Sequence, residues 1–212
     1  MTRSGWERWA GIAGVAYVAL YVGAVALGIE VGNTDAEIRE HYADSGARAK
    51  EAVAFFFIAG AVLCFLVFAA GLRTLIARHD PPPSALATIG LVGAIGYAAL
   101  VLVANAISRA AAFASMENEF QLDLETRDYF ETAGFLLFVS GTYAAILLVA
   151  SVAIAALRRN AFPRWLGWVS AVTAPLLTLA IAFIGFLFLF VWVLVASAVL
   201  IKQPVRVTEA PP

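Results

Sequence analysis

From Trp165 to Ile201 the chain runs 37 residues without a charged side chain, and Lys202 ends the run. A bilayer core about 30 Å thick is crossed by about 20 helical residues rising about 1.5 Å each. One straight helix over the run would be about 55 Å long, and tilts of about 0 to 40° do not absorb the excess. The run therefore predicts two short crossings with a turn within 180–185, loosened beforehand by Pro175, which has no N–H to donate. The chain then returns to the side from which Trp165 set out.

Composition places the remainder in the same environment. The chain is 62% hydrophobic and 14% charged, with a mean hydropathy of +0.87, whereas soluble domains are about 45 to 50% apolar and about 25% charged. Four more runs reach crossing length. The reading is an all-α, polytopic membrane helical bundle of six transmembrane helices, with spans of about 10–29, 52–72, 85–108, 132–157, 163–180 and 183–201 in one unit, 1–202. A flexible cytoplasmic tail, 203–212, follows. Arg3 and Arg8 precede the first span, and Ala24, Val25 and Ala26 resemble a cleavage site. Its 20 apolar residues exceed the h-region of a signal peptide, about 7 to 15, so a retained anchor is expected.

Lys and Arg collect in cytoplasmic loops. With six spans and both termini inside, the inner segments hold Arg3, Arg8, Arg73, Arg78, Arg158, Arg159, Arg164, Lys202 and Arg206. The outer segments hold five basic residues, Arg39, Arg48, Lys50, Arg109 and Arg127, together with twelve of the fifteen acids. A five-span chain would move Lys202 and Arg206 outside, against that trend. The expected location is the bacterial plasma membrane.

In the first outer loop, Thr34 and Glu37 form a capping box, Ile38 and Tyr42 lie one turn apart, and Gly46 offers a stop. These predict a short amphipathic helix on the outer membrane surface. In the second outer segment, Phe113, Met116, Phe120 and Leu124 recur at spacings of three and four, extending the third span as a helix. Asp123 is placed to cap the fourth. Small residues at spacing four, Gly90, Ala94 and Ala98 on the third span and Ala19 with Gly23 on the first, allow close helix approach, within the bundle or at a dimer face.

Few ionisable groups approach membrane depth. Glu30 closes the first span, Asn105 and Arg109 close the third, and Glu131 opens the fourth, so these four form a candidate polar cluster at the outer mouth. Arg109 is expected to pair there with an acid, Glu131 in preference to Glu30. Ser140, Thr142, Tyr143, Ser151, Thr173 and Thr178, at mid-membrane, are expected to join helices. No nucleophile, base and acid converge, and no phosphate loop is present, so the sequence assigns no catalytic residues. His41 and His79 lie in different loops and Cys64 is the one cysteine, which leaves no metal site and calls for no cofactor.

Several stretches resemble uncharacterised multi-span integral membrane proteins of actinobacteria. These are R-W-x-G at Arg8–Gly11, D-A-E-I-R-E-H-Y-A-D at Asp35–Asp44, G-L-R at Gly71–Arg73, F-P-R-W-L-G-W at Phe162–Trp168 and W-V-L-V-A-S at Trp192–Ser197. The resemblance covers nearly the whole chain and implies the fold without implying an activity. The functional expectation is a non-enzymatic membrane partner or sensor component. The alternative is a carrier or channel for a small solute entering an acidic outer vestibule. The bilayer, a second copy or another membrane protein are the expected partners, and a net charge of -1 argues against nucleic acid.

Overall fold

Heptad spacing organises every spanning helix of this chain. The computed structural model describes residues 3–27, 34–80, 82–115 and 123–202. Among them are α1 (Arg3–Ala26), α2 (Asp35–Ala43), α3 (Ser45–His79), α4 (Ala85–Ala114), α5 (Leu124–Arg159), α6 (Arg164–Leu176) and α7 (Ile184–Lys202), with a 3-10 helix, Leu177–Ala182, continuing α6. Six of these segments are long and apolar enough to cross a bilayer, so the protein is a multi-pass membrane protein. The predicted tail, 203–212, lies outside the described residues.

The buried positions of each span alternate in steps of three and four. In α3 they fall at Glu51, Ala54, Ile58, Ala61, Phe65, Phe68, Leu72 and Leu75; in α4 at Ala87, Gly90, Ala94, Tyr97, Val101, Ala104, Ser108 and Ala111. Ile58 and Ser108 are half-buried and the others buried. The series 7, 10, 14, 17, 21, 24 in α1 and 185, 189, 192, 196, 199 in α7 follow the same rule. A 3.5-residue repeat keeps a seam facing its neighbours and suits the left-handed crossing, near about +20°, of most membrane bundles. Each span packs on the next in sequence, and α7 closes the ring against α1. The ring surrounds an aromatic core in which Tyr17 touches Phe65, Tyr97 and Phe190.

Lipid is as apolar as leucine, so close approach, more than apolar burial, holds such helices together. A Cβ on Gly71 would meet Ala10 Cβ at 2.3 Å, and one on Gly93 would meet the Ala144 carbonyl oxygen at 2.6 Å. Gly90 faces Ser151 on α5, and Ala94 and Ala98 are buried beside it, so the small-residue line of α4 lies inside the bundle. On α1, Gly23 packs near Phe57 while Ala19 faces outward.

The long uncharged run crosses twice. Pro175 sits in the last turn of α6, the chain tightens into the 3-10 helix, and Phe183 reverses it at φ 61° and ψ -11°. Gly185 lets the returning strand of backbone pass Ala180, whose nitrogen would lie 2.4 Å from an added Cβ. Trp192 Nε1 donates to Ser170 Oγ at 2.8 Å and ties the two crossings together. By contrast α3 and α5, with 35 and 36 residues, run without interruption and are about 52 and 54 Å long. Their charged turns protrude where the uncharged run has none.

Several local expectations are corrected. Gly46 does not stop α2: Asp44 ends it and caps α3 at once, accepting from the N–H groups of Gly46 and Ala47. Thr34 and Glu37 do form the capping box, but the apolar side of α2 rests on the bundle, with Ile38 and Tyr42 packed on Ala111, Ala112 and Leu124. Leu124 therefore opens α5 and does not extend α4, which ends at Ala114; Met116 and Phe120 lie outside the described residues. The mid-membrane hydroxyls mostly serve their own helix. Ser140 donates to Leu136 and Thr142 to Phe138, each four residues back, whereas Tyr143 donates across to Thr178.

Candidate functional site

The seams of α1 and α3 each begin with a carboxylate. Glu7 and Glu51 occupy the first buried position of their series, at opposite ends of the bundle. Burying an ionised carboxylate is costly unless it is paired and hydrogen-bonded, and each has an arginine from another helix end. Arg78 answers Glu7 across α1 and α3. Arg109 of α4 answers Glu51, Nη1 donating to Oε2 at 3.4 Å, and His41 Nε2 lies 2.9 Å from Oε1. The Glu51 side chain is 2% exposed and that of Arg109 20%.

This pairing corrects the expectation that Glu131 would hold Arg109. Glu131 instead accepts from Arg127, one turn earlier on its own helix, at 2.8 Å from Nε and 2.7 Å from Nη2. A partner four residues away on one helix needs no tertiary alignment. Glu30 lies outside the described residues. Asn105, one turn below Arg109, donates from Nδ2 to the Phe55 carbonyl oxygen at 3.1 Å.

Asn105, Arg109 and Glu131 all line one cavity of about 350 Å³ at the α2 face, together with Glu51, Arg127 and Tyr42. Its deeper wall is apolar, formed by Ile58, Val101, Phe135, Phe138 and Phe183, with Tyr21 from α1. One turn further down, Tyr17 lies below Tyr21 and Tyr97 below Val101, and the two hydroxyls hydrogen-bond to one another beside Phe65. These three side chains are fully buried. The cavity thus has a charged lip and an apolar wall, and a buried aromatic cluster lies one turn beyond it. Burial, with the Glu51 carboxylate adding to it, pushes the Tyr42 hydroxyl up to about 12, so the phenol at the lip stays neutral.

The acidity of this face is largely committed to structure. Asp35 accepts the Leu124 N–H at 2.9 Å and ties α2 to α5, and Asp123 accepts the Thr126 N–H at 2.8 Å. Two backbone N–H groups hold the Asp44 carboxyl below the ordinary carboxylate range, and the Thr126 hydroxyl and N–H do the same for Asp123. With folded values depressed, both caps contribute fully above the unfolded Asp value of about 3.9 and are lost as pH falls through the lower folded value. Amide protection factors, corrected for the intrinsic slowing of exchange in acid, are expected to fall in the first turns of α3 and α5 on acidification below about pH 4. Asp44→Asn, which still accepts an N–H, should remove that dependence from α3 alone.

The opposite face carries a hollow of about 450 Å³ between α4 and α5, where exposed Arg158 and Arg159 stand near Asp80. Asp80 is bonded there by Ser84 Oγ at 3.0 Å and lies 3.6 Å from Arg159. His79, on this face, bonds the Leu75 carbonyl, far from His41. Trp9 and Trp165, each following an arginine and each exposed, stand two residues before glycines that press on α7 and α5. The repeated R-W-x-G is thus an interface anchor joined to a close-packing glycine. Sequence reasoning missed Glu51, Arg127 and Tyr42 at the cavity, and His41 as the second partner of Glu51. Comparison with protein-family models, with curated proteins and with solved structures finds no match for this chain.

Proposed function

We propose that the protein is a non-enzymatic membrane receptor component. It resides in the bacterial plasma membrane, with both termini cytoplasmic and the α2 face outward. A small solute enters the cavity beneath α2, and its occupancy is read by a membrane partner or a second copy. The observation that carries this reading is a cavity with a charged lip and an apolar wall, above the fully buried Tyr17, Phe65 and Tyr97 cluster. A pocket of this make-up suits a ligand with both a polar and an apolar part. The nine-to-five division of basic residues supports the orientation.

The alternative, a carrier or channel, draws on the acidic residues of the same face. Among the described residues Asp35, Asp44, Glu51, Asp123 and Glu131 are engaged in caps, backbone contacts and ion pairs, which weakens the case for a cation vestibule. Single-cysteine labelling separates the two. In a Cys64→Ala background, Ile58→Cys at the half-buried part of the cavity wall should react with a small membrane-impermeant thiosulfonate in intact cells and stay unreactive in inverted vesicles. Reaction from both sides would establish an open path and replace the receptor by a carrier. Reaction from the vesicle side alone would reverse the orientation.

A further inference from the structure

We infer that the cavity takes an anionic single-chain amphiphile, its carboxylate or phosphate head on Arg109 and its chain along Val101, Ile58 and Phe138. This rests on the reading of the cavity as a ligand site.

A guanidinium offers five donors in a planar fork suited to two-point binding of a carboxylate or phosphate. Among the described residues Arg109 uses one nitrogen, at the long distance of 3.4 Å, and its acceptor Glu51 already has a shorter contact with His41. The group is four-fifths buried and lines the cavity, so its donors without a protein partner are available to a molecule seated there. Of that ion pair, the member exposed to the cavity is the cation: 20% of the Arg109 side chain against 2% of Glu51. In the second pair the order is reversed, Glu131 being 49% exposed and Arg127 12%. Glu131 is held by two nitrogens of Arg127, whereas Arg109 has donors to spare.

The apolar wall sets the rest of the ligand. Val101 lies eight residues below Arg109 on α4, about 12 Å along the axis, and Ile58 and Phe138 belong to the seams of α3 and α5 at the same cavity. At about 30 Å³ per water-sized group, a volume of 350 Å³ holds on the order of a dozen non-hydrogen atoms. A head group with a chain of octyl to decyl length fills it. A purely polar solute would leave the apolar wall against water, and a longer chain would have to continue outside the cavity.

The test is equilibrium dialysis of radiolabelled octanoate against the full chain in nanodiscs, with empty nanodiscs subtracted and octyl phosphate, octanol and octylammonium as competitors. Saturable binding, displaced by octyl phosphate and at least tenfold more weakly by octanol and octylammonium, is expected. The double variant Arg109→Gln with Glu51→Gln, which leaves neither charge buried alone, should bind octanoate at least tenfold more weakly while keeping a single elution peak and thermal transition. Equal or better displacement by octylammonium or octanol would overturn the anionic assignment and leave the cavity reading standing, as would full octanoate binding by the folded double variant. No saturable binding by any of the four compounds, each dialysed in radiolabelled form in turn, would overturn the cavity reading itself.

Discussion

Arg109→Met is expected to destabilise the bundle by about 3 kcal/mol, the lower end of the cost of stripping a buried charge of its partner. The arginine is replaceable in shape, but Glu51 is not replaceable in position: its carboxylate heads the α3 seam, is 2% exposed, and would keep His41 alone. In the thermal transition of the detergent-solubilised chain this corresponds to a fall of roughly 6 to 12 °C for a protein of this size. Glu51→Gln added to Arg109→Met should restore most of the loss, because an amide needs hydrogen bonds without a counter-charge. An exposed arginine pair would move stability by about 0 to 1 kcal/mol, the effect the sequence alone suggests for Arg109. The difference lies in which acid it meets. Arg78→Met at the other end should cost less, since the Arg78 side chain is 38% exposed and water can reach Glu7 once it is gone. Recovery in the Arg109, Glu51 double variant decides the matter; if the double variant is no better than the single, the arginine acts through packing.

Most of the architecture was legible because bilayer thickness and helix rise leave little freedom. A 37-residue uncharged run has to fold back, and the break falls at Phe183, between a proline that weakens the preceding turn and a glycine that clears Ala180. The polar site was legible in part. Asn105, Arg109 and Glu131 were visible as polar residues near span ends, and they share a cavity. Glu51 was hidden because a hydropathy window ends the second span at Ala52 and leaves the glutamate in a loop. The signal was nonetheless present as a spacing. Continuing the series 75, 72, 68, 65, 61, 58, 54 upward by three places Glu51 on the buried side of α3, once Asp44 is seen to start that helix. The same step leads from Ala10 to Glu7 on α1. A carboxylate in register with an apolar seam is therefore better evidence of a buried ion pair than one near a span end. The partner choice was not legible, because it depends on how far α3, α4 and α5 protrude and so on the depth at which their charged turns meet.

Gly93→Val is expected to cost about 3 kcal/mol or more, the upper part of the range for overpacking, because the atoms in its way belong to backbone. A Cβ at this position would lie 2.6 Å from the Ala144 carbonyl oxygen and 3.0 Å from the Leu148 nitrogen, and neither can rotate aside as a side chain could. Relief requires α4 and α5 to separate. That contact continues towards the cavity, where a Cβ on Gly134 would lie 2.0 Å from Ser108 Oγ and 3.2 Å from the Ala104 carbonyl oxygen. Spreading the pair at Gly93 should therefore loosen the cavity wall, which begins about 12 Å away along α4 at Val101, as well as lower the thermal transition. Gly60→Ala is the matched control: its nearest neighbour would be Leu20 Cδ1 at 3.6 Å, ordinary contact, and alanine favours the helix by up to about 1 kcal/mol. Unfolding in detergent should show a large loss for Gly93→Val and no loss for Gly60→Ala. Two variants of similar stability would mean that apolar area holds the helices together and close backbone approach does not.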